Sequence, residues 1–228
     1  MKCMALLAAL LSLAPRLLPG AEPTQTGEET LNRWLAAQTN LTTWSAAFRQ
    51  TRHLKAFAEP LVSTGRVWFA APSSFRWELG GATPQSIAIG SGERLTLLYP
   101  RLKRAETYDM AGAGERNQWK DSLSLLKVGF PSSPEELWSQ FQVRGVTGEA
   151  EAVVVGLEPK AAATRRWIPE IKLTFGLKSE LLATELVFSD GSRLRNDFSD
   201  AHANPELDQV LFEGKPPEGF KVTSPLRP

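Results

Sequence analysis

Cysteine occurs once in this sequence, at Cys3, and histidine twice, at His53 and His202. A single cysteine excludes a disulfide framework and any cysteine-cluster metal site. The two imidazoles stand alone, with no His-x-x-x-His spacing, so no metal or cofactor is expected. An excess of one charge is missing too. Lys and Arg total 26 against 25 Asp and Glu, and no basic run reaches five residues. Nucleic acid is therefore not an expected partner, because phosphate binding needs a concentrated cationic surface. Nucleophile and phosphate motifs are absent as well. Gly90-Ser91-Gly92 lacks the spacing of a serine-hydrolase elbow and reads as a turn. Gly112-Ala113-Gly114-Glu115-Arg116 lacks the Lys-Ser/Thr pair of a phosphate loop and reads as a loop. No spacing favours a triad of His202 with Asp197 or Asp200 and a distant serine. An enzyme is not expected.

Only one long apolar run exists, Met4 to Ala14, preceded by Lys2 and followed by Pro15, Arg16, Gly20 and Ala21. Pro15 and Arg16 stop it short of the ~20 residues that a spanning helix needs. It reads as a secretory signal cleaved after Gly20 or Ala21. The expected organisation is a signal over residues 1–21 and a single exported domain over residues 22–228. Cys3 leaves with the signal. It also precedes the apolar run, so it is not placed as a lipid-bearing cysteine. What remains is nearly neutral, with Met110 its one methionine.

What the chain does have is short alternating runs. Phe75-Arg76-Trp77-Glu78-Leu79 and Ile171-Lys172-Leu173-Thr174-Phe175 alternate with period two, the mark of half-buried strands. Further strand runs lie at residues 65–69, 86–89, 95–99, 104–110, 141–146, 152–157, 182–188, 192–198 and 208–213. Turn formers separate them, and Asp190-Gly191 between two alternating runs signals a hairpin. About ten or eleven short strands with short links predict a curled antiparallel sheet. One helix precedes it and one helical island interrupts it. Leu31, Trp34 and Leu35 share a helical face within Glu28–Gln38, with Thr26 as a cap. Ser133-Pro134-Glu135-Glu136 forms a capped helix start ahead of Leu137, Trp138 and Phe141. Trp44–Arg52 fits either period.

Aromatic bulk on strands is the remaining signal, with seven Trp and eleven Phe in the chain. Such residues can simply fill a sandwich core. Alternatively, a sheet too wide to fill its own concavity lines a cavity for an apolar ligand.

Three segments in order resemble a known family: Trp44-Ser-Ala-Ala-Phe48-Arg-Gln50, Gly65-Arg-Val-Trp-Phe69, and Pro72-Ser-Ser-Phe75-Arg-Trp77-Glu78. With Ile87-Ala-Ile89, Leu97-Leu98-Tyr99-Pro100, Phe188-Ser-Asp190-Gly191, Asn196-Asp-Phe198 and Phe212 to Val222, they are similar to the periplasmic outer-membrane lipoprotein carriers of LolA type. The resemblance spans about residues 28 to 223. It implies a mainly β fold with helices: an unclosed antiparallel barrel of about eleven strands and a helical lid over an apolar cavity. Trp44–Arg52 then becomes the first strand.

The implied function is a periplasmic carrier that holds the acyl chains of lipoproteins, or a related lipid, and shuttles them between membranes. The alternative is a non-catalytic lipid-binding or lipid-sensing module on the same fold. The implied partners are the acylated cargo, an inner-membrane release complex and an outer-membrane acceptor, with the carrier itself a monomer. Cavity candidates are Trp68, Phe75, Trp77, Leu97, Tyr99, Phe175 and Phe188. Candidates for the lid's inner side are Leu31, Trp34, Leu35, Leu123, Leu125 and Leu126. One departure stands out. Well-known members have an arginine before the second hairpin's proline that hydrogen-bonds the lid shut, and here that position is Ala71.

Overall fold

The computed structural model describes residues 27–38, 40–109, 134–149 and 151–224. The leader expected over residues 1–21, the loop at Gly112–Arg116 and the lid candidates Leu123, Leu125 and Leu126 lie outside these residues. The chain opens with α1 (Gly27–Gln38), followed by six strands in meander order. These are β1 (Thr43–His53), β2 (Leu61–Ala70), β3 (Ser74–Leu79), β4 (Ser86–Ser91), β5 (Arg94–Tyr99) and β6 (Arg104–Asp109). Next come α2 (Pro134–Gln140), β7 (Phe141–Glu149), β8 (Ala152–Pro159), α3 (Ala162–Trp167), β9 (Glu170–Gly176), β10 (Leu181–Val187) and β11 (Arg193–Ala203). The three-residue β12 (Lys221–Thr223) ends the described chain.

All twelve strands form one unclosed sheet in the order β12-β6-β5-β4-β3-β2-β1-β11-β10-β9-β8-β7. The expected antiparallel open barrel is what the chain folds into, with one difference: β12 joins the edge of β6 in parallel. A long return connection places it there, which alternation within so short a strand does not reveal.

Local chemistry explains most of the boundaries. In α1, Glu28 and Glu29 occupy the first turn, where acids suit the positive helix end. Its Leu31, Trp34 and Leu35 form the buried stripe. The β10–β11 hairpin closes where Asp190 and Gly191 were expected to turn. The Asp190 carboxylate accepts from the Ser192 amide at 2.8 Å and its hydroxyl at 3.0 Å, and Gly191 sits at φ 88°. Those bonds hold the Asp190 carboxyl below the usual carboxylate range. The expected helix at Glu135 is α2, opened by Pro134, but Phe141 already belongs to β7.

Two elements correct the sequence reading. Residues 208–213, expected as a strand, form one turn of 3-10 helix at Gln209–Phe212, because the Asp208 side chain caps it by accepting from the Val210 amide at 2.9 Å. The short α3 has no side-chain cap at its start and so leaves no start signal in the sequence.

Successive strand residues point to opposite faces. The inner face is the one covered by α1, and it carries two apolar clusters. One joins Leu31, Trp34 and Leu35 to Leu137, Phe141, Val155, Leu157, Ile171, Leu173 and Phe175. The other, on β1 and β2, holds Trp44, Ala46, Phe48, Val67 and Phe69. The outer face of β4–β6 has its own small cluster of Ile87, Ile89, Leu98 and Ala105, covered by Phe220 of the C-terminal strap. Both faces of β4 are thus enclosed, which is why Ile87 and Ile89 face away from Phe75 and Trp77 and are still buried.

Candidate functional site

Strand register builds the site. On β1, Trp44, Ala46, Phe48 and Gln50 point inward. They pair across to Phe69, Val67, Gly65 and Ser63 of β2. β3 then contributes Phe75, Trp77 and Leu79, opposite Phe69, Val67 and Gly65. Phe48 stacks on Trp77 with ring centroids 4.4 Å apart. Phe198 of β11 meets Trp44 edge-on at 5.4 Å and Trp77 at 6.4 Å. Offset and edge-on ring pairs of this kind add about 0.5–1.5 kcal/mol each beyond area burial.

Two glycines make the ring layer possible. A Cβ on Gly65 would lie 2.3 Å from the Phe48 ring, and one on Gly90 would lie 2.1 Å from the Phe75 ring. Each ring therefore lies flat over a neighbouring strand where a side chain would otherwise stand. β5 continues the surface with Leu95, Leu97 and Tyr99, Leu97 pairing with Ala88 and Glu106.

The half of the inner face beneath α1 is closed. Trp34 is 1% exposed and its ring sits 5.2 Å from that of Phe175, which is 0% exposed. By contrast, Phe75, Trp77, Leu79, Leu97 and Tyr99 are only half-buried. The inner face thus divides into a capped half on β7–β10 and a partly open aromatic strip on β1–β6.

Polar groups on this face are few and paired. The Gln50 side-chain amide donates to Asn196 Oδ1 at 3.0 Å, and Asn196 Nδ2 donates to Thr184 Oγ1 at 3.3 Å. At the β6 edge, Glu106 pairs with Arg104 and accepts from the Tyr108 hydroxyl at 2.7 Å. Burial, then the hydrogen bond to Glu106, pushes the Tyr108 hydroxyl well above the usual phenol range. Burial and the Glu106 charge also raise Tyr99. His202 contacts Asp200 at 3.1 Å on the exposed surface. No group of three or more His, Cys, Asp or Glu that could hold a metal ion occurs among the described residues.

The site expected from the sequence is brought together in part. Phe75, Trp77, Leu97 and Tyr99 share the open strip. Phe175 shares its face but lies sealed beneath Trp34. Phe188, at the β10–β11 turn, is half-buried against the capped cluster. Leu31, Trp34 and Leu35 face the sheet from α1, as a covering helix requires.

Trp68 does not belong with them. It alternates with Val67 and Phe69, pairs with Arg76, and lies on the outer face with the Arg66 guanidinium 5.8 Å from its ring. Three consecutive apolar residues, Val67-Trp68-Phe69, leave the face undetermined in sequence. Strand alternation, with Val67 and Phe69 buried inward, sets its outward position, and the Arg66 guanidinium lies over its ring. Trp44, Phe48 and Phe198, central to the strip, were missing from the expected set. Period two through Trp44, Ala46 and Phe48 carried that signal.

Ala71 starts the turn into β3, its amide donating to Thr42 O at 2.8 Å. Arg76 does not stand in for the absent lid-locking arginine. It points to the outer face, where it bonds Glu78 at 2.6 Å and the Leu211 carbonyl at 3.3 Å.

Comparison with known proteins agrees with this geometry. Residues 39–215 match the family model "Outer membrane lipoprotein carrier protein LolA". The chain belongs to that family. A search of curated proteins finds no match. Among solved structures, the fold is similar to an uncharacterized conserved protein from Thermus thermophilus, with TM-score 0.52 at 10% identity, covering 88% of this chain and 99% of that one. A LolA superfamily protein from Nitrosomonas europaea aligns with TM-score 0.41 at 8% identity, covering 83% and 98%. A putative outer membrane lipoprotein-sorting protein domain from Vibrio parahaemolyticus aligns with TM-score 0.43 at 11% identity, covering 82% and 96%.

Proposed function

We propose that this protein is a non-catalytic carrier that binds the acyl chains of lipoproteins, or a related lipid, on the aromatic strip of β1–β6 and moves them through the periplasm. An inner-membrane release complex would load it and an outer-membrane acceptor would unload it. The observation that carries this reading is the uneven cover of one apolar face: sealed by α1 over β7–β10, half-open over Phe75, Trp77, Leu97 and Tyr99.

The physical requirement is plain. Burial holds each methylene by ~0.8 kcal/mol, so a chain of ~14 methylenes is held in a membrane by ~11 kcal/mol. A soluble carrier must offer comparable apolar surface and still let go. Half-buried rings that are already partly dry supply that surface without a deep energy well. α1, with Leu31, Trp34 and Leu35, serves as the lid. With Ala71 at the arginine position, the lid closes by apolar contact, and incoming acyl chains displace like with like.

Phe75→Glu tests the assignment. A carboxylate in the strip should abolish co-purification of acylated cargo, read by native mass spectrometry of protein recovered from membranes, while the circular dichroism spectrum stays β-rich. Full acyl retention in the folded variant would remove the strip from the binding role.

A further inference from the structure

The strand order gathers five connections at one end of the sheet: β1–β2, β3–β4, β5–β6, β8–β9 and β10–β11. Two hydrogen bonds tie three of them together. The Lys55 amide donates to Ser192 Oγ at 3.2 Å, and the Ser189 amide to the Trp167 carbonyl at 2.9 Å.

At this end large apolar side chains stand in solvent. Phe57 is 60% exposed and Leu61 48% on the β1–β2 hairpin, Trp167 61% at the end of α3, and Leu102 70% on the β5–β6 turn. Each has cations beside it in the same connection or strand end: Arg52 and Lys55, Arg166, and Arg101 with Lys103. None of those five cations forms an ion pair within the described residues. The acids in these loops are Glu59 and Asp190, and at the strand ends Glu78, Glu158 and Glu170 are in ion pairs with Arg76, Arg165 and Lys172 respectively. The opposite end is the reverse. Its loops carry Glu93, Glu151 and Glu180 against Lys178, with Leu177 as the exposed apolar residue. Among the described residues, the loop charges thus differ in sign between the two ends.

We propose that this end docks on an anionic membrane surface. Its apolar residues sit singly on separate loop tips, spread along an arc, instead of forming the contiguous face that a protein partner would cover. Aromatic and leucine anchors flanked by cations that form no close ion pair, though Lys55 acts on Asp190, suit a headgroup layer, where rings sit at the interface and Lys and Arg meet phosphate. The surface is separate from the aromatic strip and goes beyond the carrier reading; it does not depend on it.

The test is flotation of the purified protein with vesicles of phosphatidylcholine alone or with one-third phosphatidylglycerol. Binding is expected to the anionic vesicles only and to weaken with salt. Lys55→Glu with Arg166→Glu, two exposed side chains, should lower the partition at least about 25-fold, from roughly fivefold per cation. Phe57→Ser with Trp167→Ser should also release the protein. Lys55→Glu with Arg166→Glu should leave acyl retention, read by native mass spectrometry, unchanged, so loss of acyl loading and loss of docking are read apart. Equal binding to both vesicles, binding to neither, or variants of unchanged melting temperature that bind like the parent would overturn the proposal.

Discussion

At the scale of single residues, the sheet's edge holds a group whose chemistry can be read directly. Tyr108 is buried against Glu106, and both burial and the hydrogen bond favour the neutral phenol. Its hydroxyl therefore titrates higher in the folded protein than in the unfolded chain, where it ionises near ~10. A group raised in this way adds stability that is fully present below pH ~10 and is lost as the pH climbs further. Urea midpoints measured from pH 8 to pH 11 should fall at the alkaline end. Tyr108→Phe should flatten that fall, and a variant as pH-sensitive as the parent would contradict the assignment. Trp68 teaches a different lesson at this scale. Hydrophobicity alone placed it in the site, whereas strand register turns it outward.

Among the elements, α1 carries the lid assignment of the proposed function. It has only three turns, too few for intrinsic helicity to hold it in place, so it stays by burying Trp34 against Phe175 and its neighbours. Trp34→Ala should cost about 3–5 kcal/mol where the indole is buried. If α1 is a lid, its amides in the variant should exchange at least tenfold faster while β1–β3 amides keep their protection. Uniform acceleration across the sheet would mean that α1 is an integral part of the core. This helix was legible from Leu31, Trp34 and Leu35. α3 was not, because it has no side-chain cap, and the strap turn at Gln209–Phe212 was mistaken for a strand because its apolar residues are contiguous.

At the scale of the whole molecule, among the described residues, Phe198 joins the two halves of the inner face. Phe198 packs against the cluster beneath α1 and against the aromatic strip. Replacing it with alanine should cost about 3 kcal/mol, as for a large apolar side chain in contact with others. The variant sheet should then unfold in two calorimetric steps, with the β7–β10 half outlasting β1–β6. One sharp transition at lower temperature would show that strand pairing through β1–β11 couples the halves without it. The carrier reading and the docking end also live at this scale, since neither the strip nor the gathered loops exist until twelve strands have been placed in order.

The amino-acid order by itself determined the class of fold, the hairpin at Asp190-Gly191 and the amphipathic face of α1, because period and turn chemistry are local properties. It also carried the LolA resemblance through motifs spread along the chain. Tertiary structure alone decided that of three adjacent apolar residues in β2 two face inward and Trp68 outward, which aromatics are sealed and which half-open, and that β12 pairs in parallel. It also decided that loops far apart in the chain present their rings and cations at one end. Those outcomes depend on partners far away in the chain, such as Gln50 with Asn196, and a window of neighbouring residues holds no information about them.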